Sequence, residues 1–418
     1  MTQPAPIIDW TRIPIAGARI ACSQMSAEPQ VLLGSLAEAL QDASSALAPA
    51  AVVLGAPFST TALALPPGIP LEVFGGMGAA ATMARDRPLV VLPVNYDRCA
   101  QAVLARGVDI ALVSLARDPA SGGLYLGACH GFAIEAARTA RAVIVEVNAQ
   151  APCIHGGEWP SDLQVHAIVE ADYPIASPAA VSVSPTDTRI AAHVASLVAD
   201  GATIQVGIGS LPSALLRELR GHRRLGIHSG MLTPSLWELI ECGAADDSAK
   251  HVDTGVAVCG TVYGDAALYR AVDRTHRVAL RAPPDTHGHA AISRLPQFTA
   301  INSALEVDLG GQMNLDSVGG RLIGGIGGIN NFVRGALASR GGRSIIALPS
   351  RRRVRGHETA SIVASLSGPA TVCAADADFV VTEYGVAALR DASVGERRLR
   401  LIAIAHPDDR ENLTAAAG

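Results

Sequence analysis

Short apolar runs recur along the chain and alternate with longer segments that are rich in alanine and arginine. In the first half, the runs occupy residues 51–55, 89–93, 109–113 and 142–146. Apolar runs of this length, bounded by proline, glycine or asparagine, are typical of buried parallel strands. Their alternation with segments of helical length predicts βαβ units and an open α/β sheet.

The second half of the chain repeats this rhythm. Residues 202–206 form an apolar run that leads through glycines into a helical segment near Ser213, and residues 344–348 and 379–381 have strand character. Between the halves, residues 175–188 are rich in proline, serine and alanine and carry almost no charge, which is typical of a linker. The pattern therefore predicts two separate blocks of strands and helices.

Length and composition agree with this division. A chain of 418 residues with 49% hydrophobic residues is too long for one compact core. The low aromatic content of 4% suits closely packed parallel sheets covered by helices. We predict two open α/β domains with mainly parallel sheets, comprising residues 1–185 and 186–418, with the boundary near Pro185.

Charge, hydropathy and cysteine spacing narrow the functional classes. The formal net charge of −5 gives no reason to expect nucleic-acid binding. We expect no membrane span, because no run of about 18 apolar residues lacks charges or turn formers. The first ten residues do not have the pattern of a signal peptide. The seven cysteines lie far apart without metal-binding spacing, which predicts buried free thiols in a reducing cytoplasm and no metal site.

Two glycine-rich segments are candidates for close contact with a ligand. Gly207 and Gly209 lie where a strand would turn into a helix, whose N-terminus favours phosphate or a developing oxyanion. Residues 324–328 contain four glycines, each costing roughly 0.5–1 kcal/mol relative to alanine in regular structure. In both segments, a turn that needs glycine for packing alone is the alternative. The glycines of the second segment that we expect beside a ligand are Gly325, Gly327 and Gly328.

A basic run follows the predicted strand at residues 344–348. It places four guanidinium groups in a loop that ends at Gly356. Guanidinium groups suit phosphate, so Arg351 and Arg353 are candidates for phosphate binding. A solvated basic loop is the alternative. The four arginines are Arg351, Arg352, Arg353 and Arg355.

Several of these segments belong to a set of motifs in a fixed order. The motifs are Gln-Val-Gly-Ile-Gly-Ser-Leu-Pro-Ser-Ala at 205–214, Ile-Asn-Ser-Ala-Leu-Glu-Val-Asp-Leu at 301–309, the glycine loop at 324–328 followed by Phe-Val-Arg-Gly-Ala at 332–336, Val-Val-Thr-Glu-Tyr-Gly at 380–385, and Ile-Ala-His-Pro at 404–407. Through them the chain resembles the acetyl-CoA hydrolase/transferase family, which includes 4-hydroxybutyrate and acetate CoA-transferases. The resemblance covers nearly the whole chain.

The resemblance implies a CoA-transferase fold, coenzyme A as part of an acyl-CoA substrate, and a homodimer or larger homo-oligomer. In the family, the glycine loop lies against the thioester arm of CoA, and Asn331 and Arg334 would flank it here. The phosphate groups of CoA would then suit Arg351 and Arg353.

The chain departs from the family at the nucleophile. In the family, the strand after the first glycine motif ends in His-(Ser/Thr)-Glu-Met, and its glutamate attacks the acyl-CoA to form an anhydride and then a glutamyl-CoA thioester. Here residues 228–231 read His-Ser-Gly-Met, so the resemblance places Gly230 at the glutamate position. Glycine has no side chain that could attack. Two neighbouring motifs also differ, with Pro-Ser at 234–235 and His-Gly-His at 287–289, which favours a rebuilt site.

Histidine offers an alternative to the missing carboxylate. His228 remains in place, and His287 and His289 stand where the family has Asn-Asp-Pro. A histidine near its usual pKa of about 6.5 acts as a general base toward water, a hydroxyl or an amine. The hypothesis is that His287 or His289 activates a nucleophile while backbone amides near Gly230 or Gly327 hold the oxyanion. Exposed histidines without a catalytic role are the alternative.

Other side chains are weaker replacements. Ser229 would need a base within hydrogen-bond reach. Cys259 lies in an apolar run and is expected to be buried filler. Glu306 and Asp308 belong to a family motif whose acidic pair supports the site without attacking.

Three functions remain open from the sequence. The first is direct attack on an acyl-CoA thioester by water or a non-carboxylate acceptor, as in a hydrolase or an acyltransferase. The second is ordinary acyl-CoA:carboxylate CoA transfer, with another carboxylate in use. The third is a CoA-binding subunit without catalysis. The identity of the acyl group is not determined by the sequence.

Overall fold

The computed structural model describes residues 8–42, 48–76, 78–179, 181–318, 321–322, 324–354 and 356–417. The chain divides into two compact units, Met1–Pro178 with Cys259–Pro283, and Ala179–Val258 with Pro284–Gly418. The domain boundary near Pro185 stays a prediction. Arg355 and residues 1–7, which include most of the segment considered for a signal peptide, lie outside the described residues.

The first part of the chain forms seven parallel strands. They lie in the order β4-β3-β2-β1-β5-β7-β8, and β6 pairs antiparallel with β5. In chain order the elements are β1 (Arg19–Cys22), α1 (Gln30–Asp42), β2 (Ala51–Gly55), β3 (Leu71–Val73), α2 (Ala79–Asp86), β4 (Val90–Val91), α3 (Cys99–Ala105), β5 (Ile110–Arg117), β6 (Leu124–Tyr125), α4 (Ala133–Thr139), β7 (Ala142–Asn148) and β8 (Ala167–Ala171).

From Pro185 onward the chain again alternates strands and helices. Its elements are α5 (Pro185–Ala195), β9 (Thr203–Val206), α6 (Ser210–Glu218), β10 (Gly226–Leu232), α7 (Pro234–Glu241), β11 (Ala257–Val262), α8 (Ala266–Val272), β12 (Val278–Leu280), α9 (Pro283–His287), α10 (His289–Ile292), β13 (Thr299–Asn302), β14 (Glu306–Asp308), β15 (Met313–Asn314), β16 (Ser317–Val318), β17 (Arg321–Leu322), α11 (Ile329–Ala338), β18 (Arg343–Ala347), β19 (Arg351–Val354), β20 (His357–Ala360), β21 (Ile362–Val363), β22 (Phe379–Thr382), β23 (Gly385–Ala388), α12 (Val394–Ile404) and α13 (Arg410–Ala417).

The main sheet of the second unit contains the strand order β10-β9-β13-β18-β22-β23. Its strands run parallel apart from β23, which pairs antiparallel with β22. Beside it, β14 pairs with β15 and β21 in a small sheet, and β19 pairs with β20 in a hairpin. The prediction of an α/β fold with mainly parallel sheets is therefore confirmed.

Continuous apolar runs in the sequence form buried strands in both units. β5 and β7 are buried at nearly every position, as is typical of continuous valine, leucine and isoleucine runs in a parallel sheet. The core of the first sheet includes Val52, Ile110 and Ile144. In the second unit, Ile346 and Val380 pack with Leu401 of α12.

Two local predictions need correction. The predicted linker ends inside α5, because Ser184 and Asp187 form a capping box around Pro185 at the first helical position. The basic loop before Gly356 is instead strand β19, whose backbone pairs in register with β20 from Arg351–Ala360 to Val354–His357. Among the described helices, none has the length and apolar character that crossing a membrane requires.

Candidate active site

The candidate site of the second unit is built around β10. This strand pairs parallel with β9 through Gly226 and Ile227. Asp247 accepts a hydrogen bond from the amide of Ile227 (2.7 Å), and the buried Lys250 ammonium donates to the carbonyl of the same residue (3.1 Å). A buried ion pair of 3.3 Å joins Lys250 and Asp247. This pair, which sequence reasoning missed, fixes the start of the strand that leads to Gly230.

His287 lies directly against Gly230. It ends α9, and its ring packs on Phe332 of α11 with 4.6 Å between ring centres. A Cβ atom added to Gly230 would lie 2.8 Å from Nε2 of His287 and 3.2 Å from its Cε1. A Cβ added to Gly328 would also lie 2.8 Å from Nε2. Gly230, Gly328 and Phe332 therefore surround the imidazole ring of His287, although they lie far from it in the sequence.

Burial sets the protonation state of this imidazole. The His287 side chain is almost fully buried, and its Nδ1 forms a 2.7 Å hydrogen bond with the hydroxyl oxygen of Thr286. Burial lowers the pKa of His287 to about 3, and the neighbouring His228 contributes to the shift. The premise of a histidine near its usual pKa therefore does not hold at this position. At neutral pH, His287 is an uncharged imidazole.

The two residues before Gly230 are held inside the unit. His228 donates from Nε2 to the carbonyl oxygen of Thr286 (3.0 Å) and packs edge-on against Phe298. The Ser229 hydroxyl is fully buried and donates to the carbonyl of Val206 (3.4 Å). Thr286 therefore contacts both histidine rings, one through its carbonyl and the other through its hydroxyl.

His289 occupies a different environment from His287. It is the first residue of α10 and is exposed. Of the two histidines in the His-Gly-His motif, the structure places His287 against Gly230 and leaves His289 on the surface of its unit.

The first glycine segment forms the predicted strand-to-helix turn. Gly209 precedes α6 with a φ of +127°, a conformation that favours glycine. There is room for a side chain at Gly207, since an added Cβ would lie 4.0 Å from both the Asn302 side chain and the Ile301 carbonyl. Packing therefore does not require glycine at position 207, whereas backbone conformation does at position 209.

The second glycine segment leads into α11. Gly327 has a φ of +55°, which accounts for glycine by conformation. Gly328 precedes the helix at a φ of −95°, so the requirement there comes from the His287 ring and from Phe332. Sequence reasoning did not assign Phe332, although its place four residues after Gly328 on a helix puts it on the same face.

The two polar candidates on α11 differ in their contacts. The Arg334 side chain is exposed and forms a 2.9 Å ion pair with Asp376. Asn331 is half-buried, and its Oδ1 atom has no hydrogen-bond partner among the described residues.

The three arginines of β19 differ in their hydrogen-bond and ion-pair partners. Arg351 pairs with Asp409 through two hydrogen bonds of 2.9 and 2.7 Å. Arg352 pairs with the buried Glu306 at 2.7 Å. Arg353 is exposed and reaches the Gly356 carbonyl at 3.4 Å. Two of these guanidinium groups thus serve ion pairs within the unit.

The remaining candidate nucleophiles are two carboxylates that accept hydrogen bonds within the unit and a buried thiol. Glu306 also accepts hydrogen bonds from the Ser367 amide (2.8 Å) and hydroxyl (2.5 Å). Asp308 accepts from the amides of Gly310 and Gln312. Cys259 is buried, and desolvation raises the pKa of its thiol to about 12. Among the described residues, no group of three or more His, Cys, Asp or Glu side chains could hold a metal ion.

Comparison with known proteins identifies the family. Residues 264–417 match the model of the acetyl-CoA hydrolase/transferase C-terminal domain. The chain is 33% identical over 306 residues to a 4-hydroxybutyrate coenzyme A transferase of Clostridium kluyveri, an alignment that covers 73% of this chain and 71% of the relative. The chain belongs to the acetyl-CoA hydrolase/transferase family of enzymes.

Solved structures agree with this assignment. RipA from Yersinia pestis has a TM-score of 0.91 at 29% identity, with 99% of this chain and 96% of that chain covered. A 4-hydroxybutyrate CoA-transferase from Porphyromonas gingivalis has a TM-score of 0.77 at 28% identity, with 97% and 94% covered. The similarity to solved structures therefore extends over both units.

Proposed function

We propose that the protein transfers the acyl group of an acyl-CoA, or of a related thioester, directly to water or to a non-carboxylate acceptor. The family contains CoA-transferases and acetyl-CoA hydrolases, which supports chemistry at a CoA thioester. The direct route differs from the family's cycle because it uses no glutamyl-CoA intermediate.

One observation carries the proposal. Position 230, where the resemblance expects the nucleophilic glutamate, is glycine, and the imidazole of His287 lies 2.8 Å from where its Cβ would be. The space beside the strand therefore holds a neutral nitrogen base in place of a carboxylate. The acidic residues Glu306 and Asp308 of the family motif are already hydrogen-bonded within the unit.

The proposed chemistry is a single displacement. The acceptor, written as an H–X group, attacks the thioester carbonyl as His287 takes its proton. The bond to sulfur then breaks, and His287 returns the proton to the departing CoA thiolate. A low imidazole pKa disfavours the first transfer and favours the second, because the protonated ring is a strong acid. Atoms and charge balance, with acyl–X and free CoA as products.

The surrounding groups are proposed to bind the substrate. Backbone amides near Gly230 and Gly327 would stabilise the oxyanion. The turn at Gly207 and Gly209 would face a negatively charged group of the substrate. The remaining residues proposed to contact CoA are Gly325, Gly328, Asn331, Arg334, Arg351 and Arg353, and His228 and Ser229 complete the set of candidate catalytic side chains.

Carboxylate-dependent CoA transfer is the second candidate. The names of the Clostridium kluyveri and Porphyromonas gingivalis relatives favour it. It requires a carboxylate nucleophile other than residue 230. By family resemblance, we also propose a cytoplasmic homodimer or larger homo-oligomer.

A substrate panel separates these functions. Pure protein is incubated with acyl-CoAs of different chain lengths, with and without acetate, and the products are followed by mass spectrometry. We expect free CoA without acetate and no protein-bound CoA thioester after hydroxylamine or borohydride trapping. Transfer of CoA onto acetate with a trapped thioester would establish the second candidate. Absence of turnover with every thioester, also when simple alcohols and amines are supplied as acceptors, would indicate a binding subunit.

Matched variants test the role of the imidazole. His287→Asn removes the proposed base and should lower turnover by about 10-fold, less than for a base whose pKa lies near the operating pH. His289→Asn changes the exposed histidine of the same motif and should stay within about twofold of wild type. Equal activity of His287→Asn and wild type would contradict the proposed role.

A further inference from the structure

We propose that His287, Gly230 and Gly328 form one interdependent packing unit, in which the imidazole excludes any side chain at position 230. This inference rests on the proposed function and extends it. It assigns to His287 the additional role of deciding which nucleophile the site can carry.

The geometry shows a conflict of space at position 230. A Cβ there would lie 2.8 Å from Nε2 and 3.2 Å from Cε1 of His287, and 3.6 Å from Cε2 of Phe332. Contacts of a Cβ below 3.0 Å are essentially never observed in proteins. A single methyl group already requires the ring to move, and a glutamate side chain requires more.

The imidazole has little room to move away. The ring is buried, and Nδ1 is held by the Thr286 hydroxyl at 2.7 Å. Phe332 covers it with 4.6 Å between ring centres. On the Gly328 side, an added Cβ would lie 2.8 Å from Nε2. The ring therefore fills a place bounded by a hydroxyl, an aromatic ring and two glycines.

Backbone conformation does not explain the two glycines. Gly230 lies within β10 and is not among the glycines with positive φ. Gly328 has a φ of −95° and a ψ of 0°, which other residues also adopt. Gly230 is therefore explained by the space that the imidazole needs, and Gly328 by the imidazole together with Phe332, whose Cε2 would lie 2.8 Å from an added Cβ. Removing the imidazole should therefore remove the requirement at position 230, where Phe332 would be at an ordinary 3.6 Å from an added Cβ.

Stability measurements test the packing unit without depending on activity. Gly230→Ala should lower the melting temperature by about 5 °C or more, because a buried Cβ is forced against the ring. In the His287→Asn background, the same alanine should change it by less than about 2 °C. Gly221→Ala, which adds a Cβ with no atom within 4 Å at a glycine without positive φ, is the control. An equal loss from Gly230→Ala in both backgrounds would overturn the proposal.

The chemical test restores a carboxylate. In Gly230→Glu/His287→Asn, the new carboxylate can attack an acyl-CoA to give an anhydride and CoA thiolate. The thiolate then attacks the glutamyl carbonyl, which releases the acyl carboxylate and leaves a protein-bound CoA thioester. Mass spectrometry should detect this thioester in the double variant and not in Gly230→Glu alone.

The outcomes separate this inference from the proposed function. A thioester of equal yield in Gly230→Glu alone would show that the imidazole excludes nothing, which overturns the inference. A trapped thioester in the wild-type protein would overturn the proposed function, while the stability cycle would still decide the packing unit. Failure of Gly230→Glu to fold, with recovery in the double variant, supports the packing unit.

Discussion

The buried imidazole of His287 is the residue on which the proposed chemistry depends. From the sequence it was one of two histidines in a polar motif, with a pKa expected near 6.5. The structure packs it against Gly230 and Phe332, where its charged form loses solvation and its pKa falls to about 3. A base of this kind remains neutral through the physiological range, so its contribution to activity should not show a titration near pH 6.5.

The same shift makes stability depend on pH. Between pH 6.5 and about 3, the unfolded chain binds a proton at His287 that the folded chain does not bind. The free energy of unfolding therefore falls as pH decreases through this window. His287→Asn should remove about 2 kcal/mol of the loss between pH 7 and pH 5, measured by urea denaturation at each pH.

The exposed neighbour provides the control for this measurement. His289→Asn, which changes the exposed histidine of the same motif, is measured in parallel. Parallel curves for wild type and His287→Asn over pH 5–7 would contradict a buried neutral imidazole.

At the scale of elements, the basic segment at 351–354 forms a strand of a hairpin, and this strand pairing determines which arginines are exposed. From the sequence, the four arginines before Gly356 predicted a loop, either phosphate-binding or simply solvated. In the structure, three of them lie on β19, where alternation of side chains sends neighbours to opposite faces. Arg352 thereby reaches Glu306 of β14, while Arg353 is exposed.

This alternation predicts different consequences for two adjacent arginines. Arg352→Ala leaves the Glu306 carboxylate buried without its cation, which should lower the free energy of unfolding by about 3 kcal/mol. Arg353→Ala should change it by less than about 0.5 kcal/mol. Chemical denaturation of both variants measures the difference, and equal effects would show that the pair with Glu306 does not form in solution.

Two helical glycines give a second contrast between elements. Gly335 lies in α11 against Ile292 of α10, where an added Cβ would be 2.7 Å from the Cβ of Ile292. Gly395 lies in α12 with no atom within 4 Å of an added Cβ. Gly335→Ala should destabilise the protein by about 1–3 kcal/mol because the helices are overpacked. Gly395→Ala should stabilise it by about 0.5 kcal/mol, because the unfolded chain loses freedom.

The packing of α10 on α11 is tested by whether Gly335→Ala and Gly395→Ala change the free energy of unfolding in opposite directions. Denaturation curves of the two variants should shift in opposite directions from wild type. A stabilising Gly335→Ala would mean that α10 does not pack closely on α11.

At the scale of the whole molecule, the thiols differ between the two units: the five buried ones lie in the first unit and the two exposed ones in the second. All seven cysteines lie in the described part of the chain and are free. Five of them are buried, and desolvation raises the pKa of Cys129 and Cys153 to about 12. Cys242 and Cys373 are exposed, so the expectation of buried thiols holds for five positions and is wrong for these two.

Thiol titration tests this arrangement. Because the thiolate is the reactive form, two thiols should react rapidly with a disulfide reagent in the native protein and all seven after denaturation. Substitution of both exposed cysteines by serine should abolish the rapid reaction. More than two rapid thiols would contradict the packing of the first unit, which holds all five buried cysteines. Fewer would indicate that an oligomeric contact covers one of the exposed positions.

Much of the fold and the outline of the site followed from local sequence. The strands at residues 51–55 and 142–146 were predictable because their runs of β-branched and apolar residues are too short and too continuous for surface helices. The turn before α6 was predictable because Gly209 needs a positive φ. These features depend on a few consecutive residues, which is why the sequence reveals them.

The contacts of the site depend on residues far apart in the chain. Sequence determined that position 230 is glycine and that the family's motifs surround it. Tertiary structure decided that the imidazole of His287 fills the adjacent space and that Gly328 and Phe332 bound it. It also decided the burial that keeps this imidazole neutral. Periodicity and motifs report local backbone preferences, whereas a pKa and a clash require the three-dimensional arrangement of several elements.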